Sequence, residues 1–493
     1  MKKIVTASLV AAMALTTVNA SSLESRLGDL ETELADVKKK LKKQNRKINK
    51  VKAHDAGDNI KWGVDLRTAM DMVSYDMANG DTFKNDDLMS LRLWLNMEYA
   101  PDQNNVFKGQ LSMNKAFGAD FAGMGSGNRA FSLGGQFDWT GNEALTDNSL
   151  KVRQAYWLYL GDELFGAEIP WTFSLGRRPA TGGFLANLRE DDAANSPLGH
   201  VINVEFDGLS SKIDLSTVTG IQGMSFKVCM GKGSTNAQPL LSTTPNATNE
   251  GDLKEINLGG FIFEPYNDGQ FITKATWYRA YNLPDANLMM AGGKAVMDGT
   301  FSTVGDMEGA GFSVLIDGLA EDGFLSDTKV FGSFAWTKSH PSGSGATFNG
   351  MEMPGMLGSN ESETGTSYWV GAQLPIVEDG VLGLEYNHGS EHWRPFTYAE
   401  DTMVGSKLAA RGDAYEVYFT YQLTEALSAQ FRYTQIDYDY TGSQGFFGNT
   451  TGGSTKISDI KAGAAGGDMQ AAGQLTQIVE SATDARFYIR YRF

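Results

Sequence analysis

The chain has 493 residues, of which 41% are hydrophobic and 20% charged, with 57 glycines, 12 prolines and a formal net charge of -17. This acidic excess argues against nucleic acid as a partner, and a single cysteine, Cys229, excludes an internal disulfide. Abundant glycine, scarce proline and moderate hydrophobicity favour strands with one apolar face over an α/β core.

The N-terminus has the pattern of an export signal. Lys2 and Lys3 precede a mostly apolar run over residues 4–18, and Val18-Asn19-Ala20 offers small residues for cleavage. The run is too short to span a bilayer, so residues 1–20 predict a signal peptide that is removed; a retained anchor is the alternative. No later stretch has about 20 consecutive apolar residues, so only a closed barrel could embed the rest in a membrane.

Residues 21–53 predict a short periplasmic coiled coil. Residues recur seven apart in two rows, at Leu27, Leu34, Leu41 and Ile48 and at Leu23, Leu30, Val37, Gln44 and Val51, and all but Gln44 are apolar. So narrow a stripe needs a partner and favours self-association, with a single helix lying against the barrel as the alternative. The basic half, Lys38–Lys52, either complements the helix dipole or lies beside anionic lipid or cell-wall polymer. Residues 54–58, His-Asp-Ala-Gly-Asp, then predict a hinge.

From residue 59 to residue 493, apolar residues recur at every second position, as expected of strands with one apolar face. Three such rows are Leu91/Leu93/Leu95, Tyr156/Leu158/Leu160 and Ile202/Val204/Phe206. We predict about sixteen strands, within a range of fourteen to eighteen, that start near residues 59, 87, 105, 150, 170, 200, 221, 254, 268, 306, 328, 366, 379, 413, 425 and 484. An even number is what bacterial outer-membrane barrels require.

The predicted connections alternate between short and long. Short turns at 101–104, 264–268 and 376–379 are interleaved with the long segments 116–149, 231–253, 339–365 and 440–483. Bacterial barrels have short periplasmic turns and long external loops, so the alternation predicts that both termini lie in the periplasm.

The last ten residues carry a resemblance to a known class. Phe487, Ile489, Tyr491 and Phe493 fall on one face of the final strand, and Arg486, Tyr488, Arg490 and Arg492 on the other. This alternation with a terminal phenylalanine resembles bacterial outer-membrane β-barrel proteins, whose assembly machinery reads it. The resemblance implies an all-β, transmembrane antiparallel barrel of the porin type.

Two further resemblances concern the N-terminal segment. The chain is similar to porins that carry a periplasmic N-terminal coiled coil, which implies a homotrimer. It also resembles a poorly characterised family of bacterial outer-membrane proteins that share a Lys-rich coiled coil followed by the His-Asp-Ala-Gly-Asp junction. The function of that family is not assigned, so the second resemblance adds no mechanism.

The faces opposite lipid predict a basic lumen. The pore-lining residues on these strands are Arg67, Arg92, Lys108, Arg153, Arg178, Arg432, Arg486 and Arg490. Guanidinium groups around a water-filled passage favour anions, so a mild anion preference is expected. Alternatively, these arginines pair with inward carboxylates and brace the wall.

The segment Arg177–Asp192 is the predicted third external loop. By resemblance to general porins, in which the third loop folds into the barrel, it is the candidate constriction. Its charged residues would produce a transverse field, with Arg177, Arg178 and Arg189 facing Glu190, Asp191 and Asp192. The pair Gly182-Gly183 would let the backbone bend inward, and an ordinary surface loop is the alternative.

Enzymatic motifs are weak. His388-Gly389-Ser390-Glu391-His392 matches the H-x-x-E-H pattern of inverted zinc peptidases, but that site needs a helix and Gly389 interrupts the stretch. No G-x-S-x-G elbow, Walker A loop or paired C-x-x-C is present. We therefore predict no enzyme, metal or cofactor, although a rim hydrolase built from separate strands stays open.

The predicted function is a porin in the outer membrane of a Gram-negative bacterium. It would pass small hydrophilic, preferably anionic, solutes by diffusion, with outer-membrane lipid and lipopolysaccharide around it. The alternative is a structural barrel plugged by its own loops and tethered to peptidoglycan through the basic coiled coil.

Overall fold

The structure, a computed structural model, describes residues 60–118, 145, 148–178, 180–235, 237–239, 247–249, 253–291, 294–343, 345–353, 355–397, 403–441 and 454–493. The predicted signal peptide (1–20), coiled coil (21–53) and hinge (54–58) lie outside these residues. By its internal contacts the chain divides into two units, residues 1–59 with 100–103 and residues 60–99 with 104–493. The second unit is the barrel described below.

Sixteen long strands form this barrel, as predicted. They are β1 (Lys61–Met77), β2 (Thr82–Tyr99), β3 (Asn105–Ala116), β4 (Lys151–Gly161), β5 (Trp171–Arg178), β6 (Phe206–Asp214), β7 (Ser225–Lys232), β8 (Asn257–Asn267), β9 (Phe271–Ala291), β10 (Lys294–Asp317), β11 (Lys329–Pro341), β12 (Thr364–Val377), β13 (Gly380–Gly389), β14 (Gly412–Gln422), β15 (Leu427–Tyr438) and β16 (Val479–Arg492).

Every strand pairs antiparallel with its neighbour in the chain, and β16 pairs back on β1, so the sheet has no free edge. At the seam, Leu66 lies opposite Tyr491 and Asp76 opposite Ser481. Backbone hydrogen bonds of 3.1 Å also join Val64 and Phe493 in both directions. Closure satisfies every edge group within the protein, which is what a strand-built membrane protein requires.

Long and short connections separate to opposite ends of the barrel. One end has the links 100–104, 162–170, 215–224, 268–270, 318–328, 378–379 and 423–426. The other end has the long links 117–150, 179–205, 233–256, 342–363, 390–411 and 439–478, together with the tips of two long hairpins, β1–β2 and β9–β10. The predicted alternation is therefore correct, and the link 179–205 is the third at the long-loop end.

Local chemistry explains the tight turns. In the β8–β9 turn, the Asp268 carboxylate accepts hydrogen bonds from the backbone N–H groups of Gln270 and Phe271, at 2.9 and 2.7 Å. Gly269 takes a φ of 96°, which a side chain would strain. The turn chemistry thus fixes the register of this hairpin.

Most strand starts lie within four residues of the prediction. Those of β2, β6 and β16 differ by five or six residues, and β10 begins at Lys294 instead of residue 306. The β9–β10 ladder shifts register three times between Ala280 and Leu288. Each shift interrupts the two-residue alternation on which the prediction depended, so the outer part of this hairpin carried no strand signal.

Smaller elements lie in the connections. Short strands are Gly183–Phe184, Asn195–Leu198, Ala237–Pro239, Ala247–Asn249, Ala346–Phe348 and Met351–Met353; the helices are Ser216–Thr219, Ile457–Ala465 and Met469–Leu475, and the 3-10 turns Gly323–Ser326, Gly355–Leu357 and Lys407–Ala409. Within the described ranges, none of the helices has the length and hydrophobicity to cross a membrane.

The outward face of the barrel is apolar and exposed. Large side chains on it include Trp62, Met70, Phe107, Trp157, Leu175, Phe261, Phe312, Phe334, Val370, Leu384, Val417, Phe431, Phe487 and Ile489, each between 37% and 58% exposed. A continuous apolar surface of this extent needs apolar surroundings. The inward face is charged in one part and apolar in another, and connections from the long-loop end cover it.

Two predicted apolar rows were wrong. Ile202 and Val204 do not face lipid; they lie in the link 179–205 and are buried inside the barrel, because β6 starts only at Phe206. Tyr156 faces inward, because its ring lies 4.5 Å from the guanidinium of the inward Arg178. A bulge makes Arg153 an extra residue in β4, which turns Arg153 inward as well.

Candidate pore constriction

The third connection at the long-loop end, residues 179–205, folds back inside the barrel. Its strand Gly183–Phe184 pairs in parallel with Asn195–Leu198, and the backbone N–H of Gly182 donates to the Asn203 side chain at 2.9 Å. Gly182 has a φ of 63°, so the predicted glycine bend occurs at this position. We call residues 180–205 the inner loop.

One side of the inner loop is apolar and packs on the wall of β9 to β12. Leu185, Leu198 and Val201 are completely buried. They belong to a cluster that includes the inward side chains Tyr278, Phe331 and Trp369. Burial of this many apolar groups fixes the loop against this part of the wall.

A second connection, residues 390–411, covers the inner loop. The backbone N–H of Asn203 donates to the Phe396 carbonyl at 2.6 Å, and the Phe396 N–H donates to Val201 at 3.0 Å. Trp393 and Phe396 are buried in the same apolar cluster. The two connections therefore support each other inside the barrel.

His200 joins the inner loop to the wall through hydrogen bonds. Its Nδ1 lies 2.8 Å from the Ser333 hydroxyl and its Nε2 2.8 Å from the Ser367 hydroxyl. The ring is fully buried, 5.7 Å from Trp369 and 5.4 Å from Trp393 between centroids. Burial lowers the pKa of His200 to about 3, so the imidazole is neutral at neutral pH.

The other side of the inner loop is acidic and meets the arginines of the wall. Glu190 forms ion pairs with Arg67 at 3.5 Å and with Arg432 at 3.0 Å. Asp192 pairs with Arg490 at 2.8 Å and with Arg492 at 3.0 Å. Burial raises the pKa of Asp192, although the nearby Arg490 opposes this shift. These contacts hold the loop across the barrel interior to β1, β15 and β16.

Further ion pairs lie within the wall or beside it. Asp65 pairs with Arg490 and, at 3.4 Å, with Arg92. Arg486 binds Asp71 at 2.5 Å, and both side chains are fully buried. Neither Asp71 nor Asp484 was predicted to face inward, although both continue the rows of Asp65 and Arg486 at a period of two.

Residues from the connections complete this network. Arg189 pairs with Glu416 at 3.1 Å, and Lys407 pairs with Glu385 at 2.7 Å and with Glu416. Arg153 lies 2.8 Å from Glu205. Lys407 and His200 could not be found from the sequence, because a loop has no periodicity that says which side chains enter the barrel.

The structure brings most predicted site residues onto the inner face. Those in the inner loop or paired with it are Arg67, Arg153, Arg189, Glu190, Asp192, Arg432 and Arg490. Arg92 is connected to it through Asp65 and Arg490. Arg486 also faces inward, where it pairs with Asp71 and is fully buried. Lys108 lies nearer the short-turn end, 3.3 Å from Glu98 and 40% exposed.

Two predicted residues lie outside the buried part of the network. Arg177 falls on the face opposite Arg178 because neighbours in a strand alternate, and it pairs with Asp207 at 3.4 Å. It is therefore not on the lumen side. Asp191 is 76% exposed and pairs at 2.6 Å with Arg492, which also pairs with Asp192.

Arg178 differs from the other inward arginines. It is buried, its Nη2 donates to the Ser210 hydroxyl at 3.1 Å, and it has no carboxylate partner among the residues that the structure describes. The remaining arginines are largely neutralised in pairs, so the predicted pairing with inward carboxylates describes most of this wall.

The histidine motif forms no shared face. His388 is the penultimate residue of β13 and lies 2.9 Å from Asp413, whereas His392 is in the following loop, 3.6 Å from Glu363. Within the ranges given above, no group of three His, Cys, Asp or Glu side chains could hold a metal ion.

Several solved structures are similar to this chain. OmpT of Vibrio cholerae is 13% identical, with 88% of this chain and 97% of that chain covered and a TM-score of 0.43. The anion-selective porin from Comamonas acidovorans is 11% identical (88% and 99% covered, TM-score 0.44), and OprB of Pseudomonas putida is 12% identical (90% and 96% covered, TM-score 0.47).

The sequence of the chain matches one protein family. None of the curated proteins matches the chain. A family model with the description "Protein of unknown function (DUF3373)" matches residues 82–493, and the chain belongs to this family.

Proposed function

We propose that the protein is an outer-membrane channel of the porin type, in which the inner loop forms the constriction. The observation that carries this proposal is a closed sixteen-strand barrel with an apolar outer band and a charged inner wall that the inner loop crosses. A barrel of this strand number encloses more space than wall side chains alone can fill. Small hydrophilic solutes would pass where the loop leaves room.

Orientation follows from the connections. Long links extend outward and short turns face the periplasm in bacterial barrels. The start of β1 and the end of β16 both lie at the short-turn end. The N-terminal segment and the C-terminus would therefore be periplasmic, with lipid and lipopolysaccharide around the outer band.

The proposed anion preference depends on a local surplus of positive charge. Arg178 and Lys227 face inward without a carboxylate partner in the described part of the chain, and nearby Lys212 and Lys274 share one acid, Glu264. Paired arginines elsewhere contribute little net field. A mild preference for anions is the expected result.

A second candidate is a barrel closed by its own connections. The specific observation in its favour is the burial of the wall arginines: Arg67, Arg92, Arg432, Arg486 and Arg490 are each 5% exposed or less. Side chains that line a water column should have more exposed surface. Such a barrel would be structural, with the basic segment of residues 21–53 as its link to peptidoglycan.

We also propose self-association into a homotrimer through the coiled coil of residues 21–53. Its apolar stripe is too narrow to be buried by one helix. The number of subunits, from the molecular mass in detergent of the full chain and of a chain without residues 21–53, tests this. An equal number of subunits in the two would contradict it.

Planar-bilayer recording separates the two functions. A channel gives an ohmic current, and in a salt gradient its reversal potential shifts towards the chloride equilibrium potential. A cation-shifted reversal would keep the channel but remove the anion preference. Absence of current from protein that is shown to be folded would favour the closed barrel.

A further inference from the structure

We propose that the inner wall carries a binding recess for a small monocarboxylate with an apolar tail. The recess lies between the inner loop and strands β5 to β9, with Arg178 and Lys227 as carboxylate ligands. This deepens the proposed channel function, because it names a class of solute, and its test below does not depend on current.

Arg178 has an unused donor. The residue is only 8% exposed, and its guanidinium carbon lies 4.5 Å from the centroid of the Tyr156 ring. Nη2 donates to Ser210, but Nη1 is buried without a hydrogen-bond partner among the described residues. A buried guanidinium group that lacks an acid is unfavourable. A carboxylate ligand would supply both the missing acceptor and the missing charge.

Lys227 provides the second charge. Its Nζ donates to the Ser196 hydroxyl at 2.6 Å and has no acid within ion-pair distance in the described ranges. The nearby acid Glu264 does not neutralise Lys227, because its carboxylate already pairs with Lys212 and Lys274, each at 3.1 Å. Four cations thus share one acid in this part of the wall, so an anion is the expected ligand.

The lining indicates what else the ligand must have. Arg178, Lys227, Ser196 and Ser210 line a cavity of about 50 Å³, where one water needs roughly 10–15 Å³. Most of the remaining surface of the cavity is apolar and comes from Ile202, Phe206, Leu258, Ile262 and Tyr278. A carboxylate with a short hydrocarbon tail matches both halves, whereas phosphate would place polar oxygens on apolar surface.

Cys229, the only cysteine of the chain, lines the same cavity and can report on its occupancy. The full-length protein, folded in detergent, is alkylated with iodoacetamide in the presence of butyrate, butyramide or phosphate. We expect butyrate to slow alkylation in a saturable manner, and butyramide and phosphate to have no effect at the same concentration. Retention of radiolabelled butyrate in equilibrium dialysis measures binding directly, also where Cys229 reacts slowly.

The variants Arg178→Gln and Lys227→Gln test the two ligands separately. Loss of a charged hydrogen bond should raise the butyrate concentration for half-protection about tenfold or more in each. Lys84→Gln, which removes an exposed charge on β2, is the matched control and should leave it unchanged. The gel mobility of unheated samples shows whether each variant is folded, and Lys227→Gln keeps the test valid should Arg178→Gln not fold.

Several results would overturn the proposal. Equal protection by butyramide would remove the role of charge, and equal protection by phosphate would remove the role of the apolar tail. If both variants needed the same butyrate concentration as the wild type for half-maximal protection of Cys229, butyrate would be acting at another place. Protection without bilayer current would support the recess and contradict the channel. Bilayer current without butyrate binding would support the channel and contradict the recess.

Discussion

Glu190 is the acid on which the charged side of the inner loop depends. Its two oxygens meet Arg432 at 3.0 Å, Arg67 at 3.5 Å and the Tyr488 hydroxyl at 3.1 Å, with the side chain 11% exposed. Glu190→Gln removes a carboxylate that Arg432 and Arg67 share in a buried ion network, so it should lower the free energy of unfolding by about 3–5 kcal/mol. Urea titration of the detergent-folded barrel measures this.

The next residue supplies the control for this prediction. Asp191 forms one ion pair, with Arg492, and is 76% exposed. Its φ of 51° is one that Asn adopts readily. Asp191→Asn should therefore cost less than about 1 kcal/mol. A loss as large as that of Glu190→Gln would mean that loop charge in general, and not the buried pairs, holds the inner loop.

His200 should make stability depend on pH. The pKa of His200 is about 3 in the folded protein and near 6.5 when unfolded. Between these values the unfolded chain binds the extra proton, so acidification favours unfolding. From pH 7 to pH 4.5 the loss should be roughly 2–3 kcal/mol.

Comparison with His200→Gln checks this pH dependence. Glutamine cannot be protonated in this range, so the pH dependence of the variant should be flatter by the amount given above, while carboxylates elsewhere contribute equally to both proteins. Parallel curves for wild type and variant would show that His200 is not buried as a neutral imidazole.

The inner loop has a backbone contact that only glycine permits. A Cβ on Gly183 would lie 2.5 Å from the Pro197 carbonyl oxygen and 3.0 Å from the Gly199 nitrogen. Because these are backbone atoms of the paired short strand, Gly183→Ala must separate the two halves of the loop. We expect a loss of stability of about 1–3 kcal/mol and, if the loop is the constriction, altered single-channel conductance.

Gly332 in β11 serves as the matched substitution. Its Cβ would meet no atom within 4 Å. Gly332→Ala should therefore leave both the unfolding midpoint and the conductance near those of the wild type. If Gly332→Ala had the same effect as Gly183→Ala, the effect would not come from the close backbone contact in the inner loop.

The inner wall of the barrel has three parts that differ in polarity and charge. The β9–β12 wall holds the apolar cluster with Trp369 and Phe331, the β14–β2 wall holds the paired arginines, and the β5–β8 wall holds the cations with few acids. Among the described residues of these three walls, the third has a surplus of positive charge. Solute selection is therefore expected there, and the other two parts hold the inner loop in place.

The closing seam gives a prediction about the complete molecule. Phe493 adds one backbone contact pair with Val64, whereas the register from Asp65–Arg492 to Asp76–Ser481 continues without it. Deletion of Phe493 should leave the barrel foldable in detergent, because the rest of the seam register is kept. Heat-modifiable gel mobility measures this, and a barrel that fails to fold in detergent would contradict the prediction.

The fold class and much of the barrel followed from the sequence alone. Alternation at a period of two is a local property, so the faces of Arg67, Arg92, Arg486 and Arg490, the strand count and the alternating loop lengths could be predicted. What only the tertiary structure decided is which charges meet. Glu190 reaches Arg432 and His200 reaches Ser367 across large separations in sequence, and local periodicity contains no information about such contacts. The same holds for Arg178, because the absence of an acid near a side chain depends on every strand and loop that closes around it.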